Sequence, residues 1–108
     1  MAYDEELAER IRGLLPDIPV TEKKMFGGLA FLVGGHMAVA ASGKGGLMVR
    51  CDPADTERHL GDGAGPFEMR GKEMDGWLRV TREAVAEDAA LSRWIDVGTT
   101  YAGALPPK

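Results

Sequence analysis

The chain has 108 residues, 44% of them apolar and 28% charged, the balance of a soluble globular protein, which excludes a disordered or otherwise biased composition class. Folding at this length removes roughly two thirds of the unfolded chain's surface from water, so residues 1–108 are expected to form one domain. The net charge of −4 disfavours direct nucleic-acid binding, which draws on Lys and Arg displacing counterions from phosphates.

The single cysteine, Cys51, cannot close an internal disulfide and points to a reducing cytoplasm. The opening MAYDEELAER is acidic where a signal peptide needs a basic start and an apolar run. No stretch is apolar for the about 18 residues of a membrane span, so no membrane partner is expected.

Along the chain, Tyr3, Leu7, Ile11, Leu14 and Leu15 form one apolar stripe of a helix of about three turns. Asp4 suits its N-cap, and Pro16 stops it. From Glu22 onward, short apolar runs alternate with glycine pairs, the pattern of strands and tight turns. KKMF ends at Gly27-Gly28, LAFLV ends at Gly34-Gly35, and HMAVAA and LMVRC are separated by SGKGG. Three or four antiparallel strands result.

A two-residue turn at Gly34-Gly35, where glycine reaches positive φ without steric cost, sets a register. Val33 then faces His36, Leu32 faces Met37, Phe31 faces Ala38 and Ala30 faces Val39. One face collects Leu29, Phe31, Val33, Ala38 and Ala40. The other collects Ala30, Leu32, Met37 and Val39, joined by Met48 and Arg50 if the next loop spans Ser42 to Gly45. Both faces are too apolar for one to be left open to water, so the second needs a helix, a partner or a second copy of the chain to cover it.

Asp52-Pro53 begins a helix, with Asp52 as N-cap and Gly61 ending the segment after Leu60. GDGAGP is a loop. PFEMRGKEMDGWLRVT reads as a second hairpin with a polar connection from roughly Gly71 to Gly76, in which Leu78 and Val80 alternate against Trp77 and Arg79. A last helix, from about Glu87 to Ala104, places Leu91, Trp94, Ile95, Gly98 and Tyr101 on one stripe. The order α, three or four β, α, two β, α is that of an α+β two-layer sandwich with a mainly antiparallel sheet.

Candidates for chemistry are few. His36, Cys51 and His59 are the soft metal ligands and fit no zinc spacing, so no metal is expected. Cys51 lies just before a helix start, a position that lowers a thiol pKa in reactive sites, but no adjacent base accompanies it, and the reading is an ordinary strand-end cysteine. GGHM, GKGG and GDGAG match no phosphate-binding loop. No cofactor is expected. Arg50 stands apart as an obligate charge in an apolar strand. It either projects into water or makes a charge-assisted contact with a carboxylate or a partner group.

The run KMFGGLAFLVGGHMAVAASGKGGLMVR, followed by PFEMRGKEMDGW and by LSRWIDVGTTYAGALPPK, resembles the N-terminal domain family of TfoX (Sxy), the regulator of natural competence. The resemblance runs from about Glu5 to Lys108 and is most specific at Lys24-Met25-Phe26-Gly27-Gly28, at Leu47-Met48-Val49-Arg50, at Met74 with Gly76-Trp77, and at Pro106-Pro107-Lys108. It implies a sandwich similar to the secretion-chaperone-like folds, frequently dimeric. It also implies a link to transcriptional control, in which full-length members act as co-activators with a cyclic-AMP receptor protein. Full-length regulators continue into a second, helical domain, whereas this chain reads as a stand-alone first domain; no catalytic residue carries over.

Three functions are therefore weighed. The first is a non-enzymatic protein-interaction module, a homodimer whose Met37, Val39, Met48 and Arg50 face is covered by the second chain. The second is a small-ligand or effector-binding domain, its site near Phe26, Gly27, Gly28, Arg50 and Trp77. The third is an enzyme of unrecognised class, for which the sequence offers no constellation of groups.

Overall fold

A computed structural model describes residues 5–15, 18–25, 28–42, 46–59, 61, 63–69 and 72–106. Helix α1 (Glu5–Leu14) is followed by strands β1 (Thr21–Met25), β2 (Gly28–Val33), β3 (His36–Ala41) and β4 (Leu47–Arg50). A 3₁₀ helix (Pro53–His59), strands β5 (Ala64–Met69) and β6 (Lys72–Val80), a short 3₁₀ turn (Glu83–Val85) and helix α2 (Asp88–Ala104) complete the order. The fold is α+β, as the element order implies. All six strands form one antiparallel sheet in the order β1-β2-β3-β4-β6-β5.

Leu7, Ala8 and Ile11 of α1 join Leu91, Trp94 and Ile95 of α2 against one face of the sheet. That face presents Leu29, Phe31, Val39, Ala41, Leu47, Val49, Leu78 and Val80, the every-second-residue selection of a pleated strand. The stripe read from α1 holds at Leu7 and Ile11, with Leu14 and Leu15 half-buried; Tyr3, Asp4 and Pro16 lie outside the described residues. Arg10 ties α1 to the start of α2. Its guanidinium donates to the Val85 and Ala86 carbonyls at 2.8 and 3.1 Å and pairs with Asp88 at 2.9 Å. Arg12 forks onto Glu22 of β1 with two 2.7 Å contacts.

Three expectations need correction. The Gly34-Gly35 turn forms, with φ of 60° and 85°, and Val33 faces His36 and Leu32 faces Met37. Beyond that pair the register shifts, so Phe31 faces Val39 and Ala30 faces Ala40. Ala38 is an inserted residue, a β-bulge, which turns every later β3 side chain to the opposite face. Val39 therefore belongs with Phe31 under the helices, and Ala40 with Ala30, Met37 and Met48 on the other side. In the second hairpin, Met69 faces Lys72, so the expected loop from Gly71 to Gly76 is largely strand. The segment after Asp52 is a 3₁₀ helix. Its start follows the sequence signal, since the Asp52 carboxylate accepts the Ala54 N–H at 2.9 Å.

The bulge has a partner in α2. A Cβ added to Gly98 would lie 2.3 Å from the Ala38 carbonyl oxygen and 2.8 Å from its carbon, so the helix backbone rests directly on the bulged strand. In an open helix position, alanine gains about 1 kcal/mol over glycine. Overpacking against immovable backbone costs about 1–3 kcal/mol or more, and here the cost wins because no rotamer relieves it. Gly98→Ala is expected to lower stability by about 2 kcal/mol in denaturant unfolding. Gly13→Ala, in exposed α1 with nothing within 4 Å of the added carbon, is expected to raise it by about 0.5–1 kcal/mol.

Candidate functional site

Among the expected site residues, the structure brings Arg50 and Trp77 together. They are direct partners across β4 and β6, and the Arg50 guanidinium carbon lies over the Trp77 ring at 5.0 Å. Tyr101 of α2 supplies a second ring, 5.5 Å from the same carbon. All three residues are half-buried. Sequence reading placed Tyr101 on the α2 stripe without linking it to Arg50. The missing signal is the close approach at Gly98, three residues earlier, which brings that part of the helix down onto β3.

Trp77 is positioned by its neighbour. Gly76 adopts φ 85°, and a Cβ there would come within 3.0 Å of the Cys51 carbonyl and 3.1 Å of the Pro53 ring. The Gly76 N–H donates to the Thr56 hydroxyl at 2.8 Å, and its carbonyl accepts from the Cys51 N–H at 2.8 Å. The Thr56 hydroxyl in turn donates to the Pro53 carbonyl. β6 bulges here, because Pro66 faces Leu78 while Phe67 faces Met74. The distortion detaches Trp77 from β5 and leaves it paired with Arg50 alone.

Met37 and Met48 lie together with Ala30 and Ala40 on the face remote from the main core, with Leu32 and Trp77 packed against them. These four are 0–5% exposed within the single chain, so the face does not await a second copy to leave water. Its accessible rim includes the half-buried Leu32, Arg50 and Trp77, with the exposed Lys23 and Arg79 at the pairing positions of Ala30 and Met48. The glycine end of the expected ligand site is elsewhere. Met25 faces Gly28 at one end of the strands, whereas Arg50 lies about four residues away toward the Gly34-Gly35 turn, roughly 13 Å along the sheet. Phe26 and Gly27 lie outside the described residues.

Cys51 is 1% exposed, and burial pushes its thiol above the ordinary range. Among the described residues no three of His, Cys, Asp and Glu gather as a metal site. His36 instead donates its Nε2–H to the Pro106 carbonyl at 2.7 Å, since a carbonyl can only accept. His59 meets Trp94 edge-on at 5.8 Å. A groove of about 360 Å³ between α1 and the Glu83–Val85 turn is lined by Glu6, Arg10, Arg82 and Glu83 among others. Its Arg10 is already committed to two carbonyls and Asp88.

A family model described as the TfoX N-terminal domain matches residues 14–102, which spans all six strands and nearly all of α2. The chain belongs to that family. No curated protein and no solved structure matches it. Among its described residues, this TfoX N-terminal domain has no helix long and apolar enough to cross a membrane. The family match takes in the whole sheet, the part whose glycines and bulges carry the Arg50–Trp77 pair.

Thiol reagents are expected to label Cys51 of the native domain at pH 8 at least a hundredfold more slowly than in denaturant. Burial and the raised pKa both withhold the thiolate, the reacting form. Labelling at the denatured rate under native conditions would contradict this placement.

Proposed function

We propose that this TfoX N-terminal domain is a non-enzymatic protein-interaction module of the cytoplasm, serving transcriptional control and working as a homodimer. The observation that carries the reading is the cluster of Arg50, Trp77 and Tyr101, a guanidinium held against two aromatic rings, which can recognise a partner. Arginine and aromatic side chains dominate protein interfaces because they combine apolar contact area with directional donors. Leu32, half-buried against the Met37 and Met48 cluster, adds apolar surface on the same face, two strands from Arg50 and three from Trp77. The buried, weakly acidic Cys51 supports binding over nucleophilic catalysis.

A second reading, a small-ligand or effector-binding domain, draws on the same cluster. Without the glycine segment its site contracts to Arg50, Trp77 and Tyr101.

Light scattering after size exclusion tests the homodimer: a mass twice that of the 11.6 kDa chain is expected. Leu32→Lys, which places a charge on the rim, should shift the dimer toward monomer by at least tenfold in dissociation constant. A monomer at every concentration up to the millimolar range would refute the dimer.

A further inference from the structure

We propose that Arg50, Trp77 and Tyr101 form a recognition site for a single carboxylate, a ligand class that deepens, and rests on, the binding reading above.

The described arginines divide by what they meet. Arg10, Arg12 and Arg58 each pair with a carboxylate, at Asp88, at Glu9 and Glu22, and at Asp55. Arg50, in a chain with 17 acidic residues, has no ion pair among the described residues. It is also less exposed than Arg12 and Arg58. A partly desolvated guanidinium gains from the two ring faces, but stacking leaves its in-plane N–H donors unspent. Those donors form a planar fork that matches the two oxygens of a carboxylate.

The neighbouring groups narrow the ligand further. Arg50 and Trp77 can only donate, and the Tyr101 hydroxyl can donate or accept, so a ligand whose polar part is an acceptor uses all three. The two rings provide an apolar wall, which suits a carboxylate borne on an apolar or aromatic body. One stacked cation matches one negative charge. Arg79, exposed at the Met48 pairing position, lies diagonally from Arg50 on the same face by strand alternation. Its exposure limits it to a screened, long-range attraction. A phosphate dianion would leave a charge uncompensated at this site, on a chain whose net charge is already −4.

Titration of the full chain, followed through the Arg50 side-chain N–H and Trp77 indole signals by NMR, tests the site. The probes are sodium benzoate, a tetrapeptide with a free C-terminal carboxylate, the same peptide amidated, sodium phosphate and sodium chloride, all at constant ionic strength. Saturable shifts confined to Arg50, Trp77 and Tyr101 are expected with benzoate or the free-carboxylate peptide. A tenfold or greater preference for the peptide assigns the carboxylate to a polypeptide, and the reverse assigns it to a small molecule. Arg50→Lys keeps the charge but removes the fork, and should weaken binding at least tenfold while the rest of the spectrum is unchanged. Arg50→Gln, should the lysine variant misfold, serves the same purpose.

The proposal is overturned by shifts with chloride or phosphate as strong as with carboxylates, by no saturable shift with any carboxylate, or by undiminished binding in the Arg50 variants. The light-scattering result is independent. A dimer with no carboxylate shift would reject the site and keep the homodimer, and a carboxylate-binding monomer would keep the site and reject the homodimer.

Discussion

The contact of Gly98 with the bulged Ala38 is the constraint on which the rest of the molecule depends. An ordinary helix-on-sheet contact holds backbones apart by a layer of side chains. Here an added methyl group would reach within 2.3 Å of a strand carbonyl, so the layer is missing at one point and α2 is drawn onto β3. The bulge that accepts the helix also reassigns the later residues of β3, moving Val39 into the helix-covered core and Ala40 to the other face. One turn beyond Gly98, Tyr101 reaches the end of β4. Further along, the Pro106 carbonyl meets His36 beside the Gly34-Gly35 turn. A single close approach thus fixes the sheet's two faces, the run of the last helix and the cluster around Arg50.

The charged contacts have a different weight. The pairs of Arg12 and Arg58 are exposed and are worth about 0–1 kcal/mol each. They orient α1 on β1 and close the 3₁₀ helix without supplying much stability. The Glu22 carboxyl, held below its usual range by Arg12, adds stability above its unfolded pKa, and that contribution is lost as pH falls through the lowered folded value. Arg10 does more, because it also satisfies two carbonyls between the 3₁₀ turn and α2. Arg50 has the reverse character: its stacking on two rings is worth about 0.5–2 kcal/mol, but the charge itself stays available.

Much of this fold was legible in the residues. The glycine pair at 34 and 35 marked the first turn, Asp52-Pro53 marked the 3₁₀ start, and the stripe Leu91, Trp94, Ile95 and Gly98 marked the buried side of α2. The bulge at Ala38 was not legible, because HMAVAA alternates equally well in either register and only the docking of Gly98 decides between them. Without the bulge, alternation groups Val39 with Met37 and Met48; with it, Val39 joins Phe31. The need to cover a second apolar face was correctly sensed, yet the chain buries Ala30, Met37, Ala40 and Met48 by itself. At the site, Arg50 and Trp77 are legible as members of one candidate ligand site, but their direct cross-strand pairing follows from the β4–β6 register, which local sequence does not encode. Tyr101 looked like one more core residue. Gly28 lies about four residues along the sheet from Arg50, a separation that depends on the end of each strand at which a residue lies and that local sequence does not show.

The most direct test of this account is the chemical-shift position of the Arg50 side-chain protons in the wild-type domain and in Tyr101→Leu. Two stacked rings should move the Arg50 methylene and N–H protons well upfield of exposed arginines, with cross-peaks to both Trp77 and Tyr101. The Tyr101→Leu variant should lose part of the shift and keep the Trp77 cross-peaks. Ordinary arginine shifts in the wild type, or shifts indifferent to Tyr101, would contradict the placement of α2 over the end of β4 and with it the site.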